Sequence, residues 1–237
     1  SKKEIKLFDF KSLRQRKIAA GYTMEELELI LHPMVAEAKE ATGSMGDDTP
    51  IAVLSDKFRP LSHFFRQKFS QVTNPPIDSL REQSRMSLKT RFGNLRDVLD
   101  SNSYQDNVFV MDSPIITNSI FSKMMKFGQD VTKTIDCSFD LKKISLKETI
   151  TRIQNEAEAA VLSGKQHVVL TDINTDHDKV SVPIILATAA VHTFLTRKGI
   201  RSFVSIHTQS AECLDTHYFA VLIGVGATTV NPYLAQE

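Results

Sequence analysis

Residues 164–172, GKQHVVLTD, and residues 183–199, PIILATAAVHTFLTRKG, decide the fold. The first is a turn glycine followed by a short continuous apolar run from His167 to Thr171, the pattern of a strand covered on both faces. The second opens on Pro183, which suits a helix's first turn because the N–H it lacks is one the helix would leave unbonded anyway. That segment stays apolar on nearly every side as far as Leu195 and stops at Gly199, so it predicts a deeply buried helix. Residues 202–206 predict the next strand, and residues 211–224 a further helix. Residues 228–231 predict a last strand that leads into the start of another helix. Strand, helix, strand, helix in this order predicts parallel βαβ units with right-handed crossovers and a sheet covered on both faces.

Upstream of this stretch, Ser145 with Glu148 forms a capping box. It opens a helix whose expected buried face is Leu146, Ile150, Ile153, Ala157 and Val161, and Gly164 ends it. Residues 132–139 alternate enough to be a strand, Thr117 can cap a short helix ending near Phe127, and residues 107–111 are a short strand candidate. The first hundred residues are mostly helical and polar. Thr23 with Glu26 is another capping box, and Pro33 is expected to kink or end the helix it opens. Residues 43–50 are a loop. A second helix is expected from Pro60, with Leu61, Phe64, Phe65, Phe69 and Val72 on one face. Asn74, Pro75 and Pro76 stop it, and a third helix follows from about Ile77. The fold class is therefore α/β: residues 1–100 form a helical N-terminal segment and residues 101–237 the βα-repeat portion of the same domain. A chain that opens on Ser1 without a Met and stops at Glu237 inside an expected helix is expected to be cut from a longer polypeptide.

With 41% apolar residues among 237, the chain has ample material for a core. A net charge of +1 with 24% charged residues gives no global pull toward nucleic acid or an anionic surface. No apolar run approaches the roughly 20 residues of a membrane span, and no signal-peptide pattern is present. Two cysteines, Cys137 and Cys213, without a paired-cysteine motif predict reduced thiols in a cytoplasmic protein.

Three constellations could carry chemistry. Cys213 and His217, four apart on the expected 211–224 helix, would share a face and could form a thiolate pair, against the plainer reading of a packed helix face. Residues 172–178, DINTDHD, open like a calcium loop. His177 and Pro183, however, stand where that loop needs its glycine and its glutamate, so a polar strand-to-helix loop is favoured, with Asp172 at the carboxyl end of the sheet. Residues 57–96 carry nine positive charges (Lys57, Arg59, Arg66, Lys68, Arg81, Arg85, Lys89, Arg91 and Arg96) against Asp78 and Glu82. Phenylalanines interleave them, so stacking on a nucleic acid is one reading and pairing with carboxylates inside a large assembly is the other. No glycine-rich phosphate loop and no histidine cluster at metal-ligand spacing occurs.

Three blocks carry a resemblance. They are SMGDDTPIAVLS at residues 44–55; FRQKFSQVTNPPIDSLRE at residues 65–82 with MSL at 86–88; and HYFAVLIGVGA at residues 217–227 with VNPYLA at 230–235. In order and spacing they resemble the signature segments of the central domain of the bacterial glutamate synthase large (alpha) subunit. Two loops depart from the common family pattern: Thr171, Asp172 and Ile173 after one strand, and residues 210–214 before the last helix. The resemblance implies a partial βα barrel without catalytic residues, cofactor or metal of its own. It implies that the domain links an amidotransferase (glutaminase) domain to an FMN-binding synthase domain of the same chain and borders the ammonia path. The parent would be a cytoplasmic oxidoreductase of ammonia assimilation and glutamate biosynthesis. It would convert glutamine, 2-oxoglutarate and reductant, NADPH by expectation, to two glutamates. It would carry FMN and a 3Fe-4S cluster, with FAD and NADPH on a small (beta) partner subunit. Under this reading Arg59, Arg66, Asn74, Pro75, Pro76, Asp78, Arg81, Arg85 and Asp172 are interdomain or structural residues. The chain alone is expected to be inactive, with neither nucleic acid nor membrane as partner. The competing readings are a free-standing α/β enzyme using Asp172, Cys213 and His217, and a nucleic-acid module using residues 57–96.

Overall fold

The computed structural model describes residues 7–40, 46, 49–50, 52–56, 59–66, 68, 72, 75–97, 99–100 and 108–237. The first part is helical: α1 (Phe10–Ala19), α2 (Met24–Glu26) running through a π-turn (Leu27–Leu31) into α3 (His32–Glu37), and α4 (Ser79–Arg85). A small antiparallel ribbon follows, β1 (Thr90–Phe92) with β2 (Phe109–Met111). Then come α5 (Asn118–Phe127), β3 (Thr132–Asp136), β4 (Ser138–Phe139), α6 (Leu146–Leu162), β5 (His167–Thr171) and β6 (Val180–Ser181). The chain finishes with α7 (Ile184–Arg197), β7 (Ser205–Gln209), α8 (Thr216–Gly224) and β8 (Thr229–Asn231).

The strands β3, β5, β7 and β8 lie side by side in that order, all parallel. Consecutive strands placed as consecutive neighbours force every right-handed crossover onto the same face of the sheet. Accordingly α6, α7 and α8 share one layer. Ile153, Ala157, Ile185, Val191, Leu195 and Leu222 pack there on Ile135, Val168, Leu170, Ile206 and Val230. This is the singly wound arc of a βα barrel, the α/β class expected from the sequence. Beyond β8 the sheet gains a further parallel contact, where Ile116 N–H donates to the Val230 carbonyl at 2.9 Å and Val230 N–H to that of Pro114 at 2.8 Å. From that edge the chain returns to β3 through α5, the reverse direction, and α5 falls on the opposite face. There Phe121 packs with Ile116 and Val169.

The register sets the chemistry of that second face. His167 pairs with Ser205, Val169 with His207 and Thr171 with Gln209; His207 pairs in turn with Thr229 and Gln209 with Asn231. Side chains alternate along a strand, so these eight residues project to one side. All but Val169 are polar, yet all but the half-buried Gln209 are buried, with α5 and the ribbon packed on this face. Phe92 stacks on Phe109 at 5.3 Å and stands edge-on to His167 and His207 at 5.9 and 5.3 Å. The two imidazoles meet at 3.0 Å, and His207 Nδ1 lies 2.7 Å from the Thr229 hydroxyl. Burial lowers the His167 pKa to about 4. Burial, then the neighbouring His167 and Arg201, takes His207 to about 3, so both rings are neutral near pH 7. At the amino-terminal end of the sheet, Arg201 joins three elements. Its guanidinium donates to the Val204 carbonyl at 2.6 Å, to that of Gly226 at 2.8 Å and to His192 Nδ1 at 3.0 Å.

Several local expectations need correction. No long helix follows Pro60: a single 3-10 turn, Leu61–Phe64, buries Ser62, while Phe64, Phe65 and Val72 are exposed. Phe69 and Asn74 lie outside the described residues. Pro33 does not end its helix, because the π-turn precedes it and the chain stays helical to Glu37, with left-handed Ala38 as the cap. The buried stripe of α6 is Thr149, Ile153, Ala157 and Ala160, rotated from the expected face, and Leu146 is exposed. The strand expected at residues 202–206 begins three residues later, behind the 3-10 turn Arg201–Phe203 that carries the Arg201 contacts. The strand expected over 132–139 breaks at Cys137, and its last two residues pair antiparallel with β6 instead. The chain after β8 makes turns rather than a helix. By contrast Thr23, Thr117 and Ser145 cap as expected, and Gly164 and Gly199 adopt positive φ after their helices. Among the described residues no helix is long and apolar enough to cross a membrane.

Gly226 and Gly199 separate two costs of adding a methyl group. Both have positive φ, but a Cβ at Gly226 would lie 2.4 Å from the His192 ring, whereas nothing lies within 4 Å at Gly199. Gly199→Ala is expected to cost about 1 kcal/mol of backbone strain, and Gly226→Ala about 2–4 kcal/mol because overpacking adds to it. Urea unfolding of the two variants checks the order; equal losses would show that His192 moves aside freely.

Candidate functional site at the carboxyl ends of the strands

Because β5, β7 and β8 end in register, the residues that follow them fall in one layer. Asp172 N–H donates to the Gln209 carbonyl at 3.3 Å, and Ser210 N–H to that of Asn231 at 3.1 Å. Asp172 is buried there. Its carboxylate accepts the Ser210 hydroxyl at 2.5 Å and the Ala211 N–H at 2.9 and 3.1 Å, and the Tyr233 hydroxyl also bonds to it.

Residues 211–214 are not helical, contrary to expectation. Ser210 Oγ accepts the Glu212 N–H at 3.1 Å, and Asp215 caps α8 through the Tyr218 N–H at 2.7 Å, so the helix starts only at Thr216. The intervening turn directs Glu212 back against α8 and α7, where its Oε2 accepts the Tyr218 hydroxyl and, at 3.4 Å, the N–H of Ile184.

The N-terminal segment closes over this layer. Arg16 of α1 donates to the carbonyls of Ile173 at 2.9 Å and Thr175 at 3.5 Å, and the Tyr22 hydroxyl donates to that of Ala211 at 3.1 Å. Phe8 lies under the Arg16 guanidinium at 4.3 Å and against the Tyr233 ring at 6.0 Å. Between segment and sheet is a cavity of about 780 Å³, with Arg16, Arg59, Asp172, Lys179, Glu212 and Tyr233 in its wall. A second cavity, of about 490 Å³, touches Tyr22, Glu26, His63 and Tyr218 and shares Glu212 with the first.

Burial dominates the electrostatics. It raises Asp172 to about 6, against the lowering effect of its Ser210, Ala211 and Tyr233 hydrogen bonds. Burial, with the Asp172 charge nearby, raises Glu212 to about 7 although Tyr218 and Ile184 bond to it. Burial likewise pushes the hydroxyls of Tyr22, Tyr218 and Tyr233 up, each with help from nearby carboxylates.

The residues singled out in the sequence are dispersed. Arg59 and Asp172 share the larger cavity wall, with Arg59 donating to the Thr49 carbonyl at 2.9 Å and lying over the Phe64 ring at 5.5 Å. Arg66, Pro75, Pro76 and Arg85 are exposed. Asp78 caps α4 and pairs with Arg81 at 3.2 Å on the exposed surface. Cys213 and His217 do not share a helix face. Cys213 is fully buried in the turn before α8, its thiol pushed up first by burial and then by Asp172 and Glu212, whereas His217 Nε2 sits 2.8 Å from the Ser62 carbonyl. A thiol held protonated and sealed from solvent is not a nucleophile. The DINTDHD loop does not gather its oxygens: Asp172 faces Ser210, Asn174 reaches Asp136 at 3.1 Å, and Asp176 Oδ1 accepts the N–H groups of Asp178 and Lys179, each at 3.0 Å. No cluster of three potential metal ligands occurs among the described residues. Glu212, Tyr22, Tyr218, Tyr233 and Arg16 were not singled out as site residues in the sequence, although Tyr218 and Tyr233 lie in the quoted blocks and Glu212 in the departing loop 210–214. A local signal for the later helix start was Asp215 three residues before Tyr218, an N-cap position beyond Ala211.

A sequence model of the family described as "Glutamate synthase central domain" matches residues 15–237. The chain is 56% identical over 231 residues, 97% of its length, to the glutamate synthase [NADPH] large chain of Azospirillum brasilense. It is 40% identical over 237 residues to the ferredoxin-dependent glutamate synthase of Pyropia yezoensis, again covering 97% of this chain. Against the glutamate synthase [NADPH] large chain of Bacillus subtilis it is 39% identical over 230 residues, 95% of this chain. It spans about 15% of the length of each of these relatives.

The raised carboxyl of Glu212 makes a signed prediction. Folded protein holds this proton up to about pH 7, whereas the unfolded chain releases it near 4.5. Between those values the native state binds more protons, so this group's contribution to stability falls as pH rises. Glu212→Gln removes the liability. The variant is expected to gain on wild type by about 2–3 kcal/mol as pH climbs from 4.5 to 7.5. Urea unfolding of both proteins across that range checks it, and a pH-independent difference would sink the assignment.

Proposed function

The chain belongs to the glutamate synthase central-domain family, and on that premise we propose that it is a non-catalytic scaffold joining a glutaminase domain to an FMN-containing synthase domain and bordering the ammonia path between them. The parent enzyme in this reading converts glutamine, 2-oxoglutarate and reductant to two glutamates in the cytoplasm. Its FMN and 3Fe-4S cluster sit in other parts of the same chain, and a small subunit carrying FAD delivers electrons from NADPH.

One observation supports the reading above others: the groups with chemical potential are consumed as struts. Asp172 is tied to Ser210, Ala211 and Tyr233, Glu212 to Tyr218 and Ile184, and Cys213 is sealed inside. Rigid packing is what a spacer needs. Ammonia released to bulk water is diluted and protonated, whereas two sites held in register keep it at high effective concentration. The exposed face of α4, with Leu80, Arg81 and Arg85, is the surface we assign to contact with a neighbouring domain.

Arg81→Glu in the intact large chain tests the proposal. Arg81 and Asp78 are exposed, so loss of their pair costs the fold no more than about 0.5 kcal/mol. The expected result is a several-fold rise in glutamine hydrolysed per 2-oxoglutarate consumed, with the thermal unfolding of the protein unchanged. An unaltered ratio in the folded variant would show that α4 plays no part in coupling.

A further inference from the structure

We propose that the cavity between α1 and the carboxyl ends of β5 and β7 is a binding site for a small carboxylate anion with a short hydrocarbon body. At about 780 Å³ it has the volume of a small-molecule site, for which about 300–1,000 Å³ is usual. Its place, in the crevice outside the carboxyl ends of parallel strands, is where open α/β sheets bind ligands. Leu61, Phe64, Pro183 and Leu186 supply apolar wall.

Among the described residues three cations reach the wall from three separate segments: Arg16 from α1, Arg59 from the stretch before the 3-10 turn, and Lys179 from the loop after β5. Arg16 donates to the Ile173 and Thr175 carbonyls through Nη1 alone, so among the described residues its Nε and Nη2 stay open to a ligand. Among the described residues the acids facing the same space are Asp172, Asp176 and Glu212. Asp176 is engaged in capping its own turn. Asp172 and Glu212 carry protons up to about pH 6 and 7, so the wall becomes more negative by about two charges as pH rises from 5.5 to 8. The apolar wall favours a carboxylate over inorganic phosphate, whose oxygens have no hydrocarbon to bury. The proposal is independent of the scaffold reading, because it concerns this chain by itself.

Titration calorimetry of the 237-residue chain at constant ionic strength, with butyrate, succinate, inorganic phosphate and butylamine as probes, decides the matter. Saturable binding of butyrate or succinate is expected at pH 5.5, weakening about tenfold by pH 8, with phosphate weaker than either and butylamine silent. Lys179 is exposed, and Lys179→Glu is expected to abolish the binding while circular dichroism and thermal unfolding stay at wild-type values. Arg59→Ala is expected to weaken it about tenfold and provides a second, charge-removing variant. Absence of saturable carboxylate binding, tighter binding of phosphate or butylamine, or undiminished binding in a folded Lys179→Glu protein would each overturn the proposal.

Discussion

The common ending of β5, β7 and β8 is the constraint on which the rest of the molecule depends. Parallel strands in register leave their next residues at one level, and the backbone there has to find partners beyond the ladder. Asp172 supplies them: its carboxylate takes the Ala211 N–H and the Ser210 hydroxyl, so the loop after β7 is stitched to the loop after β5. Once that loop is pinned, Glu212 is turned under Tyr218, α8 cannot begin before Thr216, and the carbonyl of Ala211 faces outward to receive Tyr22. A single buried acid thus fixes a loop, a helix start and the docking of a segment about 190 residues distant in sequence. Removing it would leave the Ser210 hydroxyl proton and the Ala211 N–H without their acceptor in a buried layer, which is worse than never having built the network.

The two faces of the sheet divide the labour. The face under α6, α7 and α8 is an ordinary aliphatic core, and its energetics are those of hydrocarbon leaving water. The face under α5 and the ribbon is polar and solved by pairing: imidazole to imidazole, imidazole to threonine, and amide to carbonyl at Asn231 and Ile116. Aromatic edges close what the hydrogen bonds leave, with Phe92 covering both histidines. Hydrophobic and polar faces lie on opposite sides of the same four strands, so register is specified twice, and a slip of one residue would expose the histidines to the aliphatic helices.

Much of the βα half was legible because its signals are local. Ser145 with Glu148, Thr117, Gly164 and Gly199 mark ends by chemistry confined to a few residues, and the apolar run from His167 to Thr171 could be little else than a central strand. What misled was any segment whose state is set from afar. Phe64 and Phe65 have helical spacing, yet the chain makes only a 3-10 turn, with Phe64 in the cavity wall beneath Arg59. Residues 211–214 have helical composition, but Asp172 and Ser210 claim their backbone. The site suffered the same fate. Asp172 was legible from its place after a strand, whereas Glu212, Tyr22 and Tyr233 become neighbours only through tertiary contacts that no periodicity encodes. Pairing Cys213 with His217 failed because it assumed the helix that Asp172 forbids.

The guanidinium of Arg201 holds the β7 entry, the end of α8 and a histidine of α7 in one clasp at the pole opposite the cavity. The two poles of the sheet therefore differ in compliance. At the Arg201 pole three elements are locked by one planar group with little freedom to readjust, so strain applied there passes through as through a solid. At the other pole the covering segment around α1 is held by the carbonyl contacts of Arg16 and Tyr22 and by Phe8 against the Tyr233 ring. Adjustment of shape is therefore expected at the cavity end before the far end, which acts as its anvil.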